Sequence, residues 1–205
     1  LTVTNGTAAT GCTPTNVYTT TVTVNPLPVV GAITGTATLC EGGTTMLSST
    51  TPSGVWSSGS ISVATIGTSG LVTGITSGTT NITYSVTSSF GCNTQVFAVV
   101  TVNPLPSISA ITGTASMCRF DSVTLSSATT GGVWSSLNSA VATVNTTGVV
   151  TGVSAGTTII TYSVTNVFGC TSNVVRAVTV NALPTVAAIT GTPTLCEGAT
   201  RALSS

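Results

Sequence analysis

The sequence repeats itself with a period of 78 residues, and this periodicity limits what the chain can fold into. The segment TVNPLP begins at Thr23 and again at Thr101, and TVNALP begins at Thr179. The segments GVWSS, ITYSVT and FGC also recur at this offset without an insertion. A fixed offset sustained over many segments indicates one small folding unit that the chain builds several times.

The period divides the 205 residues into four expected domains. Complete repeats are predicted at residues 29–106 and 107–184. Residues 1–28 correspond to the C-terminal part of a repeat, and residues 185–205 correspond to the N-terminal part of a further one. We therefore expect the chain to be a fragment of a longer protein.

Alternation of apolar and polar residues predicts strands inside each repeat. Ile82, Tyr84 and Val86 share one face of the segment ITYSVT, while Thr83 and Ser85 share the other. No stretch shows a convincing helical period, and Val, Ile and Thr favour a pleated surface. About seven short strands separated by Gly, Ser, Thr and Pro clusters predict an all-β fold, a two-sheet sandwich in particular.

The composition excludes several classes of function. The chain has three acidic and three basic residues, no His and no Lys. Nucleic acid and anionic membranes are bound mainly through Lys and Arg, so neither is an expected partner. No apolar run approaches the roughly 18 residues of a membrane span, so no membrane insertion is expected. Paired carboxylates, a Ser-His-Asp set and a calcium cage all lack parts, so we expect no enzyme, metal site or cofactor.

Two aligned segments carry a family resemblance. They are TPSGVWSSGSISVATIGTSGLVTGITSGTTNITYSV and TTGGVWSSLNSAVATVNTTGVVTGVSAGTTIITYSV. Their shared frame resembles the bacterial immunoglobulin-like domain of group 2, the intimin/invasin-associated type. The added C-E-G, G-C and V-N-P-L-P features resemble tandem versions in long surface proteins of type IX-secreting gliding bacteria. The resemblance implies tandem immunoglobulin-like β-sandwiches of about 78 residues on an extracellular adhesin or fibre, without catalytic residues.

The six cysteines fall into two classes, one of each per repeat. A TLC-type segment holds Cys40, Cys118 and Cys196, and a GC segment holds Cys12, Cys92 and Cys170. Their spacing is not CxxC and His is absent, which argues against a zinc site. Disulfides in an oxidising compartment are favoured over buried free thiols.

The immunoglobulin-like fold implied by the resemblance would place Cys40 and Cys92 at opposite ends of one sandwich. We therefore predict a disulfide from Cys40 to Cys170 of the next repeat. The other four cysteines are then expected to reach repeats beyond this chain: Cys12, Cys92, Cys118 and Cys196. The alternative joins Cys40 to Cys92 and Cys118 to Cys170 and requires a short or bent first strand.

The aromatic residues are expected to be structural. Trp56 and Trp134 are predicted to cover the core rather than to stack on sugars. Tyr84 and Tyr162 are predicted to bury their rings and to hydrogen-bond a nearby turn, as in a tyrosine corner.

Four residues are candidates for glycosylation. Sequons begin at Asn5, Asn81 and Asn145. Asp121-Ser122-Val resembles the D-[ST]-apolar acceptor of O-glycosylation in the bacteria named above.

The proline-bracketed segments at residues 23–28, 101–106 and 179–184, called joints below, are expected to be stiff. Their prolines lack the N–H needed to extend a sheet, and each proline holds the preceding residue extended. The chain is thus predicted to be a structural module of a bacterial extracellular fibre or adhesin stalk, with neighbouring repeats as partners. The alternatives are a ligand-binding adhesin domain that recognises glycan or another cell, and a self-assembling filament subunit.

Overall fold

The computed structural model describes residues 2–4, 19–191 and 194–202, and all regular structure in these ranges is β-strand. The chain divides into two compact units, Leu1–Pro104 and Leu105–Ser205, with the boundary inside the second joint. Within the described ranges, no helix has the length and apolarity of a membrane span. The finer division into two complete and two partial repeats stays a prediction.

The described residues of the first unit form ten strands. A short antiparallel ribbon precedes two larger sheets, whose strand orders are β4-β10-β9-β6 and β3-β5-β8-β7. The strands are β1 (Thr2–Thr4), β2 (Thr19–Thr21), β3 (Ile33–Gly35), β4 (Thr38–Cys40), β5 (Thr44–Ser49), β6 (Val55–Ser58), β7 (Ala64–Ile66), β8 (Leu71–Gly74), β9 (Gly78–Thr87) and β10 (Asn93–Asn103).

The two larger sheets have the strand order of an immunoglobulin sandwich. Strands β3 to β10 correspond in chain order to A, A′, B, C, D, E, F and G. One sheet is then A-B-E-D and the other is A′-G-F-C, which is the constant-type arrangement with an added A′ strand. The chain is therefore all-β and immunoglobulin-like, as predicted.

The second unit repeats this construction. Its described residues form seven strands, and each begins 78 residues after its counterpart in the first unit. Strand A is reduced to a single bridge between Thr112 and Ser126. The strands are β11 (Ser116–Cys118), β12 (Ser122–Thr124), β13 (Val133–Ser136), β14 (Ala142–Val144), β15 (Val149–Gly152), β16 (Gly156–Thr165) and β17 (Thr171–Asn181).

Each unit has its own apolar core between its two sheets. The buried residues occupy alternate positions of the strands, so every second side chain points inward. The first core is formed by Leu39, Leu47, Ala64, Val72, Ile82, Val100 and Val102. The second is formed by Ile111, Met117, Leu125, Ala142, Val150, Ile160, Tyr162, Val164, Val178 and Val180.

The long strand β10 separates two ends of the first full repeat. The turn from β9 to β10, residues 88–92, lies at its start, and this is called the hairpin end. At its other end, Cys40 is paired in parallel with Asn103, and the N–H of Glu41 donates to the Asn103 carbonyl at 3.0 Å. This is called the joint end, because the second joint leaves the repeat there. The ten steps between the eleven residues of β10, at about 3.3 Å each, place the two ends roughly 33 Å apart.

Candidate functional site

Three of the charged side chains, those of Glu41, Arg119 and Arg176, bind backbone groups. Glu41 accepts a hydrogen bond from the Ser77 N–H at 2.7 Å. Arg119 donates to the Val153 carbonyl at 2.8 Å, and its guanidinium lies 4.4 Å from the Phe120 ring centroid. The residues that the structure describes contain no group of three or more His, Cys, Asp or Glu side chains that could hold a metal ion.

The described cysteines occupy the two ends of each repeat. Cys40 and Cys118 end the first strand of the A′-G-F-C sheet in their repeats, at the joint end. Cys92 and Cys170 directly precede the last strand, at the hairpin end. Cys196 is exposed, and Cys12 lies outside the described residues.

The bonding states of these cysteines differ. Cys40 and Cys170 are disulfide-bonded, whereas Cys92, Cys118 and Cys196 have free thiols. The alternative pairing of Cys40 with Cys92 and of Cys118 with Cys170 is therefore wrong. Its physical obstacle is the length of β10, because a disulfide requires Cα atoms within about 7 Å.

The hairpin end has a fixed turn geometry. The Gly91 N–H donates to the Ser88 carbonyl at 3.0 Å, and the Ser88 N–H donates to the Cys92 carbonyl at 2.8 Å. Gly91 has a φ of 79°, in the left-handed region where a side chain is disfavoured. The turn brings the Cys92 thiol to 3.9 Å from the carbonyl oxygen of Asn25, in the first joint.

The tyrosines bond a segment distant in sequence. The Tyr84 hydroxyl donates to the Thr51 carbonyl at 2.6 Å and accepts from the Gly54 N–H at 2.8 Å. Both partners lie between β5 and β6, at the hairpin end. This differs from the expected tyrosine corner, in which the hydroxyl bonds backbone only a few residues upstream. The second repeat makes the same two bonds from Tyr162.

Each tryptophan lies against its repeat's tyrosine. The ring centroids are 4.5 Å apart for Trp56 and Tyr84 and also for Trp134 and Tyr162. Both indoles are half-buried and pack against the cores. One face of each indole ring therefore packs against the protein interior.

A pocket of about 310 Å³ opens beside Trp134 and Tyr162. This volume is at the small end of the range of ligand sites. Hydroxyl side chains and glycines form much of its wall: Thr124, Ser126, Ser127, Thr129, Thr130, Gly131, Gly132, Thr146 and Thr147. Such a wall offers hydrogen bonds but no charge.

The described glycosylation candidates are exposed. Asn81 lies inside β9 and Ser122 begins β12. Asn145 lies in a turn, where its Oδ1 accepts from the backbone of Thr147 and Val149. Asn5 lies outside the described residues.

The match to a known family agrees with this architecture. Residues 97–175 match the model of the bacterial Ig-like domain (group 2). The match covers 79 of the 205 residues. The group 2 match runs from within β10 to the middle of β17, across the second joint. A comparison with curated proteins finds no match.

Several solved structures are similar to the chain at low identity. Domains 1-6 of surface layer protein SbsC are 20% identical with a TM-score of 0.33, over 86% of this chain and 31% of that one. An intimin fragment in complex with the intimin-binding domain of its translocated receptor is 17% identical with a TM-score of 0.36, over 75% and 65%. Murine CEACAM1b is 11% identical with a TM-score of 0.31, over 74% and 100%. The chain thus spans about a third of the SbsC structure.

Sequence reasoning missed the structural role of Arg176. Its Nη1 donates to the Ile111 carbonyl at 2.9 Å, and its Nη2 donates to the Gly113 carbonyl at 2.7 Å. A signal for this role exists, because Arg176 is in phase with the buried Val178 and Val180 on β17. A charged side chain in the apolar phase of a strand indicates a specific partner.

Proposed function

We propose that this chain is a structural tandem-repeat module of a bacterial extracellular fibre or adhesin stalk. The observation that carries the proposal is that the seven strands of the second unit repeat those of the first at one offset. Both repeats also bear a cysteine at each end. A spacer is built from interchangeable units, whereas a recognition protein needs at least one specialised unit.

The side-chain chemistry supports the spacer role. Six charged residues occur in 205, and Glu41, Arg119 and Arg176 already hold backbone groups of their own units. A surface of Thr, Ser and Gly has little to offer as an acid, base or nucleophile activated by its surroundings. The match of residues 97–175 to the group 2 family model supports a non-catalytic surface module. The cysteines support an oxidising, extracellular location.

The second candidate is recognition of a neutral glycan at the pocket beside Trp134. Aromatic rings with nearby hydroxyls suit sugars, which present apolar faces and many hydroxyl groups. A volume of about 310 Å³ suits a small ligand. The Tyr162 hydroxyl already donates one bond and accepts another, which leaves the threonine and serine hydroxyls to supply specificity.

Two measurements separate these functions. In the parent protein, an in-frame deletion of residues 29–106 removes one period and leaves the pocket of the second repeat in place. A spacer predicts surface display and attachment of the cells as in the wild type. Attachment as poor as in a strain lacking the whole protein would contradict the spacer role.

The second measurement is a glycan array probed with the full chain and with its Trp134→Ala variant. The spacer role predicts no binding by either protein at micromolar concentration. Binding by the wild type that is lost in the variant would establish recognition instead. Sedimentation at rising concentration tests the filament-subunit alternative, because lateral association would appear as concentration-dependent oligomers.

A further inference from the structure

One class of cysteine lies beside the last residue of the final strand of its repeat, which is Asn103 in β10. Cys40 lies directly opposite Asn103 in the parallel pairing of β4 with β10. Cys118 lies opposite Asn181 in the same way in the second repeat. Cys40 and Cys118, which end strand A′ and precede strand B in their repeats, are called A–B cysteines. Each A–B cysteine is therefore adjacent to the joint that leaves its repeat.

The other class of cysteine meets the joint that enters its repeat. The Cys92 thiol is 3.9 Å from the Asn25 carbonyl oxygen. Asn25 precedes Asn103 by one period, so the two residues are the same position of successive joints. Cys92 and Cys170, which lie between strands F and G of their repeats, are called F–G cysteines. Shifted by one period to the same joint, the two contacts bring the A–B cysteine of the preceding repeat and the F–G cysteine of the following repeat to one asparagine.

The bonding states fit such a meeting. Cys40 and Cys170 are disulfide-bonded, and Cys92 and Cys118 are free. We propose that the A–B cysteine of each repeat forms a disulfide with the F–G cysteine of the repeat that follows. Cys40 then pairs with Cys170. Cys118 would then bond the F–G cysteine of a following repeat of the same architecture. Cys92 would bond the A–B cysteine of a preceding one.

This inference rests on the proposed spacer function, because it requires neighbouring repeats. Each bond forms when two thiols give up two protons and two electrons to a small-molecule disulfide such as oxidised glutathione, which is reduced to two thiols. The resulting bond is a second covalent path beside each joint. Successive repeats then remain linked even where the peptide chain of the joint is cut.

The first test is disulfide mapping of the full chain. The protein is oxidised with glutathione disulfide, alkylated in denaturant without reductant, and digested for mass spectrometry. We expect the Cys40 and Cys170 peptides to be joined and Cys92 and Cys118 to be alkylated. A joined pair of Cys40 with Cys92, or alkylation of all four thiols, would overturn the proposal.

A single substitution sharpens the mapping. In Cys170→Ser, alkylation of Cys40 should rise from under a tenth to nearly complete, with Cys118 unchanged. The matched variant Cys196→Ser should leave Cys40 protected. Should Cys170→Ser fail to fold, Cys40→Ser gives the same readout at Cys170. Protection of the remaining cysteine in either variant would refute the pairing.

The second test gives Cys118 its missing partner. A chain in which residues 107–184 are duplicated in tandem supplies an F–G cysteine one repeat later. Alkylation of Cys118 should then fall at least tenfold, and its peptide should be joined to the duplicated cysteine. Unchanged alkylation of Cys118 in the folded, lengthened chain would refute the proposal. Neither test measures cell attachment or glycan binding, so failure of the disulfide pattern is distinguishable from failure of the spacer role.

Discussion

Replacing Tyr84 by phenylalanine removes one hydroxyl and leaves the buried ring in place. That hydroxyl donates to the Thr51 carbonyl at 2.6 Å and accepts from the Gly54 N–H at 2.8 Å. Tyr84 is only 5% exposed, so both backbone groups lose a partner that water replaces poorly. At about 1 kcal/mol for each bond, the free energy of unfolding of the first repeat should fall by about 2 kcal/mol.

Hydrogen exchange of the full chain, followed by mass spectrometry, measures this loss repeat by repeat. Core amides of β9 exchange through unfolding, so a loss of about 2 kcal/mol should accelerate them roughly 30-fold. Amides of β16 in the second repeat serve as the internal control and should not change.

The repeat supplies a mirrored experiment. The Tyr162 hydroxyl bonds the Thr129 carbonyl and the Gly132 N–H, each at 2.8 Å, so Tyr162→Phe should accelerate β16 and spare β9. An acceleration below about threefold in both variants would refute the reasoning, because it would mean that the two bonds contribute almost nothing to stability.

Two further substitutions test local geometry. In Gly54→Ala, the new methyl group would overlap the Tyr84 ring, so we expect a loss of about 1–3 kcal/mol, measured as a lower urea midpoint; an unchanged midpoint would contradict the close approach. In Asn145→Ala, the turn loses the bonds that Oδ1 accepts from the Thr147 N–H and hydroxyl and from the Val149 N–H, at 3.0, 2.9 and 2.9 Å. Since this turn is exposed and water replaces part of the lost bonding, we expect the free energy of unfolding to decrease by about 1 kcal/mol in the same assay. No decrease would show that the bonds are dispensable.

Local sequence patterns were sufficient to predict the strands. The alternation of Ile82 and Tyr84 with Thr83 predicted a strand with one buried face, and β9 buries Ile82 and Tyr84. The period of 78 residues anticipated the matched strand positions. These features were predictable because each depends on side chains close together in sequence.

Features that depend on contacts between residues far apart in the chain were harder to predict from the sequence. The segment that ends at Cys40 divides into β3 and β4, which join different sheets. No local sequence pattern indicates that the chain changes sheets there. The partner segment of Tyr84 lies about 30 residues upstream and comes near only after the sandwich has formed. The alternative cysteine pairing failed for the same reason, since parallel pairing with the far end of β10 places Cys40 away from Cys92.

The parallel pairing of β4 with β10 also determines how a repeat responds to tension. Strand β4 follows β3 near the start of the repeat, and the chain leaves through β10. Once β3 has separated from β5, a pull on the two ends of the repeat draws the neighbouring strands β4 and β10 in opposite directions along their axes. Their hydrogen bonds, including those from Thr101 to Ala37 at 2.8 Å and from Glu41 to Asn103 at 3.0 Å, are then sheared together. A pair of strands loaded in shear must break all its bonds at once, whereas a peeled hairpin opens one bond at a time. Strands β4 and β10 thus form a mechanical clamp.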